Sequence, residues 1–374
     1  MEYQCYEFQA IDRPLTKAEQ DYVQSLSSRV RPTATSAVFT YSYGDFRGSP
    51  LSVLERCFDA MLYMANWGSY QLAFRFPESA VNVLELKPYC VDNIIEVLTV
   101  EKYVILNIEI HSEEGGGWIE ENNSWLGTLL PIRQAILQGD YRVLYLAWLQ
   151  AATVSSYLEQ DAQEPPVPPN LQKLSDSLQS FADWLEIDSD LIAAAAQISQ
   201  TQEELKDPFE AWVKALSDKE KTKLLVEIVT GDSAIASQLQ ARLRQKFAPT
   251  SEILSISDAD RRRFAELVAL AETQRSERQA NEKATAAAKR HQYLETLKPQ
   301  QAQIWETIDG LIARKQAQSY QQAIQHLIDL RDLAELEGKP AIFQDRVRQL
   351  QANYSNRSGL IRRMREAKLL RRKN

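Results

Sequence analysis

The sequence is poor in the residues that most often carry chemistry or covalent staples. Only three cysteines occur in 374 residues, Cys5, Cys57 and Cys90. They are far apart, odd in number and free of CxxC or Cys/His spacing, which argues against a disulfide framework and a cysteine-built zinc site. Three free, buried thiols in a reducing compartment are expected instead. The three histidines, His111, His291 and His326, are scattered, and GxxxxGK, GxGxxG, HExxH and GxSxG are all missing. That removes the motif-borne phosphate, dinucleotide, zinc-protease and nucleophile-elbow chemistries, although triads also assemble from residues distant in sequence. Long apolar runs are missing too. The most apolar stretch, Leu144 to Leu158, is interrupted by Gln150 and is too short to span a bilayer. The opening MEYQCYEF has neither a basic nor an apolar leader region, so a cytoplasmic chain is expected.

Positive charge is scarce, but only in one part of the chain. Before Asp258 there are 20 Lys+Arg against 36 Asp+Glu; from Asp258 onward there are 23 against 15. The net charge of −8 therefore conceals an acidic body and a basic tail region. Apolar content of 44% and seven tryptophans argue for packed structure rather than disorder, and the length allows two or three cores.

Hydrophobic periodicity organises the rest. Strands are expected at Glu2–Ala10, Ser36–Tyr43, Tyr70–Phe76, Ile94–Thr99 and Tyr103–His111, the last two as a hairpin around Val100-Glu101-Lys102. Thr16 with Glu19 forms a capping box for a helix to about Ser27. Leu51, Leu54, Phe58, Met61 and Ala65 recur at helical spacing after Pro50, predicting one helix that Gly68 closes. After Gly115-Gly116-Gly117 the pattern turns helical, at Trp125–Leu137 and Tyr141–Leu158 and then through a middle region with a second capping box at Ser217 and Glu220. Glu164 to Asn170 (EPPVPPN) predicts a semi-rigid extended spacer. The fold class is thus an α+β N-terminal domain with helices on one face of its sheet, followed by mainly α-helical regions. The expected divisions are 1–160 (α+β with closing helices), 171–257 (helical), 258–298 (a long polar linker helix) and 299–374 (a basic helical module). The linker carries no large apolar residue from Glu272 to His291, as expected of a helix that crosses solvent.

One stretch has the charge density of a binding surface. Arg357, Arg362, Arg363, Arg365, Lys368, Arg371, Arg372 and Lys373 accompany a single acid, Glu366, while Leu360, Ile361, Met364, Leu369 and Leu370 form an apolar side. Such a segment suits phosphate neutralisation on nucleic acid, an anionic membrane or an acidic protein surface; its bland alternative is a docked last helix with solvated arginines. His111, Glu113, Glu114, Glu120 and Glu121 around the triple glycine invite a metal reading, but they match no ligand spacing and read better as an acidic loop. Glu78, Glu85 and Lys87, with Glu85-Leu86-Lys87 placed on a strand, are similar to the PD-(D/E)xK nuclease signature, in which carboxylates hold Mg²⁺ and the lysine orients water. The adjacent Asp12 and Arg13, before Pro14, mark the end of the first strand.

The block from Tyr320 to Leu370, YQQAIQHLIDLRDLAELEGKPAIFQDRVRQLQANYSNRSGLIRRMREAKLL, resembles the C-terminal helical segment of bacterial SWIM-type zinc-finger proteins. The Cys-x-Cys and Cys-x-His ligands of that finger are absent, so the resemblance implies an accessory helical module in a nucleic-acid setting and no zinc. The opening EYQCYEFQAIDRPLT resembles that of a bacterial family to which no activity attaches. Together these readings lead us to expect an interaction protein, without cofactor or assigned catalytic or metal-ligating residue. Its basic C-terminal module would engage nucleic acid or an acidic protein surface; a metal-dependent nuclease is the alternative.

Overall fold

The computed structural model describes residues 2–42, 44–111, 124–154, 162–202, 208–230 and 261–370, together with 239, 243, 246 and 247. Six strands, β1 (Gln4–Gln9), β2 (Ser36–Tyr41), β3 (Ala60–Ala65), β4 (Ser69–Pro77), β5 (Ile95–Val100) and β6 (Tyr103–His111), form one antiparallel sheet ordered β2-β1-β3-β4-β6-β5. The helices of this part are α1 (Lys17–Leu26), α2 (Pro50–Cys57), the short α3 (Val83–Leu86), α4 (Trp125–Leu137), α5 (Arg142–Val154), α6 (Asp176–Trp184), α7 (Ser189–Ala196), α8 (Phe209–Ala215) and α9 (Asp218–Thr230). Then follow α10 (Phe264–Leu297), α11 (Gln301–Ala313), α12 (Ala317–Leu336), α13 (Pro340–Asn353) and α14 (Ser358–Glu366). The fold is α+β followed by helices, as the periodicity implies. The chain divides into two compact units, Met1–Arg275 and Ser276–Asn374.

Two expectations about the sheet of the first unit need correction. The helix read from Pro50 to Ala65 stops at Cys57, and Ala60–Ala65 is strand β3 between β1 and β4. A central strand covered on both faces has no polar side to alternate with, so AMLYMA gives a continuous apolar run that fits either period. The second correction follows from the first, because helices cover both faces of the sheet. Leu62, Leu72, Phe74, Val104 and Leu106 pack with α4 to α7, whereas Phe8, Phe39, Met61, Ala73 and Ile105 pack with Val23 of α1 and Val53 and Leu54 of α2. Glu164 and Pro165, at the start of the segment read as an extended spacer, are both buried. Of the thiols, Cys5 and Cys57 are buried but Cys90 is exposed.

Charged residues brought from far apart hold this unit together. Glu7, buried on β1, accepts from Ser124 Oγ at 2.6 Å and from backbone N–H groups of Trp125 and Leu126, and so caps the start of α4; burial raises its carboxyl pKa against those bonds. Asp12 does more than end a strand, for it receives both Nη atoms of Arg133 on α4, at 2.9 and 2.8 Å. Its sequence neighbour Arg13 pairs with Glu19 at 2.5 Å.

The Thr16–Glu19 capping box closes as its spacing predicts, with Glu19 N bonded to Thr16 Oγ1 and Thr16 N to Glu19 Oε2. Arg13 and the Thr16 groups hold the Glu19 carboxyl down at about 2. A depressed carboxyl pKa stabilises fully above its ordinary value near 4.5, and that contribution fades as pH falls from 4.5 towards 2. Glu19→Gln is therefore expected to cost about 1 kcal/mol at neutral pH. Thermal melts should show the gap from the parent narrowing between pH 4.5 and 2, and a gap independent of pH would contradict the assignment.

Candidate functional site

The basic segment belongs to the second unit. Ile304, Ile308 and Ile312 of α11, Ala323, Leu327 and Leu333 of α12, and Phe343, Val347 and Leu350 of α13 build its core, with Leu294 from the end of α10. The turn between α12 and α13 has a local cause. Gly338 takes the left-handed conformation (φ +69°) that ends a helix, and Pro340 opens the next with its fixed φ. The same end of α10 is also held by charge: Arg290 bridges Asp329 and Asp332 of α12 at 2.8 and 2.6 Å, and Tyr293 donates to Asp329. No short-range pattern announces Arg290 as an anchor; the only signal is that it lies one turn before Leu294. Between Ser276 and Lys289 every residue of α10 is exposed.

The closing helix α14 docks by one side. Leu360, Ile361 and Met364 are buried, and the chain then turns at Lys368 (φ +56°), where Leu369 N–H bonds to Met364 O at 3.0 Å. This backward tuck buries Leu369 and ends the helix at Glu366, short of the basic run's own end. Arg331 of α12 caps the freed Ala367 carbonyl at 3.4 Å, a favourable place for a cation at a helix C-terminus.

The eight basic residues accordingly have different situations. Arg362, Arg365 and Lys368 are exposed, and among the described residues only Arg362 of the three forms an ion pair, with Glu366 at 3.6 Å. Arg363 is half-buried and turns back to Gly359 O at 3.0 Å. Arg357 starts the helix, half-buried, with its Nε enclosed and without a hydrogen-bond partner. Arg371, Arg372 and Lys373 lie outside the described residues.

The nuclease-like residues are not arranged as that signature requires. Glu85 and Leu86 lie in α3 rather than on a strand, because Asn82 caps a turn there through Leu84 N. Glu85 is engaged by Tyr141 Oη at 2.5 Å and Asn82 Nδ2 at 2.9 Å, while Glu78 and Lys87 are exposed. His111 contacts Ser69 Oγ and Glu109, and Glu113, Glu114, Glu120 and Glu121 lie outside the described residues. Among the described residues no three His, Cys, Asp or Glu side chains gather as a metal site, and no helix is long and apolar enough to cross a membrane.

Comparison with known proteins leaves the site to be read from its own geometry: no protein-family model, curated protein or solved structure matches the chain.

Proposed function

We propose that this protein is an interaction protein whose basic C-terminal helical unit binds the phosphate backbone of nucleic acid. Ser276–Asn374 carries 19 Lys+Arg against 11 Asp+Glu, the reverse of the acidic remainder. The observation that supports the reading best is the division of labour on α14. Its apolar side is consumed by docking, which leaves Arg362, Arg365 and Lys368 in water on a rigid support. Mobile cations lose side-chain entropy on binding, whereas a packed helix has already fixed their backbone. No pattern for base edges accompanies them, so binding should be governed by charge and show little sequence preference.

The test is fluorescence anisotropy of a labelled oligonucleotide with the full-length protein across a salt series. Binding should weaken steeply with salt, and R362Q/R365Q/K368Q should flatten the log–log slope by about 0.7–0.9 for each phosphate that is no longer neutralised. Failure to bind at about 50 mM salt, far inside the range where phosphate neutralisation dominates, would sink the proposal and favour an acidic protein partner.

A further inference from the structure

We propose a second phosphate-binding site in the C-terminal unit, at the end of its bundle where the α11–α12 and α13–α14 turns meet, with Arg314, Lys315 and Arg357 as its cations and a nucleic-acid phosphodiester as its ligand. It rests on the proposed function and extends it to Arg314 and Lys315, which lie outside the basic run.

Topology brings these cations to one end. Helices α11 and α13 finish there and α12 and α14 begin there. Tyr354, just past α13, donates to Asp309 near the end of α11 at 3.3 Å. A Cβ on Gly359, in the first turn of α14, would meet the Tyr320 ring of the first turn of α12 at 3.9 Å. At their other ends Arg331 of α12 reaches Ala367 beyond α14, so α12 and α14 run side by side in the same direction. Their amino termini therefore lie together.

Neither amino terminus is closed by a side chain. Gln316 and Arg357 hold the N-cap positions without a capping hydrogen bond. The first-turn N–H groups of two helices, with the positive ends of their dipoles, thus share one end of the bundle. Arg314 and Lys315 sit in the turn immediately before α12, both exposed, with Lys315 in the left-handed conformation (φ +59°). Neither forms an ion pair or a side-chain hydrogen bond among the described residues. Arg357 stands at the start of α14, its enclosed Nε unpartnered. The nearby acid, Asp309, is engaged by Tyr354, and Glu306 lies a turn further back along α11. Exposed Ser355, Asn356 and Ser358 add small polar groups to the second turn.

Guanidinium forks, an ammonium and helix-terminal N–H groups are the donors that a phosphodiester oxygen prefers. The positive charge here comes from two separate turns and from two dipoles, and of its three cations only Arg357 belongs to the run that ends the chain.

The experiment uses the full-length protein and the same labelled oligonucleotide. R314Q/K315Q is expected to weaken binding at least tenfold at low salt and to lower the salt slope by about 0.7–0.9 for each phosphate left without its cation. Its thermal melt should match the parent, because both side chains are exposed. R357K, which keeps the charge but changes the fork, should weaken binding by a smaller factor. If R314Q/K315Q binds like the parent while R362Q/R365Q/K368Q is weakened, this second site is overturned and the proposed function stands. If the parent itself does not bind, the proposed function fails and this site with it. Displacement of the oligonucleotide by millimolar inorganic phosphate at constant ionic strength would overturn the polymer as ligand, and resistance to it would support the phosphodiester.

Discussion

Arg262→Ala is expected to destabilise the N-terminal unit by about 3–5 kcal/mol, the cost of stranding a buried charge. Glu164, 1% exposed, receives Arg262 Nη2 and Nε at 2.7 and 2.8 Å and the Tyr145 hydroxyl as well. Around this fork the backbone closes a short bridge, with Glu164 N to Arg262 O and Phe264 N to Ala162 O, both 2.9 Å. Arg262 also donates to the Ala194 and Ala195 carbonyls at the end of α7. Removing the guanidinium leaves Glu164 buried with only the phenol, and both strands of the bridge lose their clamp. Tyr145→Phe should cost less, about 1.5–3 kcal/mol, since it removes one hydrogen bond to a charged group and keeps the pair. Urea unfolding followed by tryptophan fluorescence measures both. A loss below about 1 kcal/mol for Arg262→Ala would mean that the clamp does not hold the unit.

Asp59→Ala should be comparably severe, again about 3–5 kcal/mol. One Asp59 oxygen accepts Arg75 Nη2 at 2.7 Å, and the other accepts the backbone N–H groups of Ile11 and Asp12 at 2.6 and 2.8 Å. Both side chains of the pair are nearly inaccessible, at 5% for Arg75 and 2% for Asp59. Arg75 is already short of partners, its Nε having none, and it lies over the Tyr103 ring at 4.4 Å. Its carbonyl in turn receives Arg133, which grips Asp12. Loss of Asp59 therefore frees the loop after β1 at two points. Asp59→Ala/Arg75→Met, which removes both charges, should recover much of the loss. A double variant no more stable than Asp59→Ala would show that the backbone bonds, and not the ion pair, dominate.

Local patterns were readable at several elements that keep one face in water. The Thr16–Glu19 and Ser217–Glu220 capping boxes, the β5–β6 hairpin and the helix Trp125–Leu137 form where alternation or cap spacing places them. The reading failed at β3, where burial on both faces erases the period, and at Glu85, where Asn82 starts a helical turn in place of a strand. On α14 the spacing of Leu360, Ile361 and Met364 was legible, and with it the exposed row of Arg362 and Arg365. Where that helix stops was not. Its end depends on Leu369 finding the core and on Arg331, 36 residues away, reaching the Ala367 carbonyl.

What the sequence determined by itself is the division into an acidic mixed body and a basic helical module, because net charge and hydrophobic period are properties of neighbours along the chain. What only the tertiary structure decided is which charges remain available. Arg13, Arg75, Arg133, Arg262 and Arg290 are each bound to a carboxylate, and for Arg75, Arg133, Arg262 and Arg290 that partner is between 16 and 121 residues away. Arg314, Lys315, Arg362 and Arg365 are exposed. An ion pair forms where desolvation has been offset by close, well-aligned partners, and that alignment exists only once distant segments have packed.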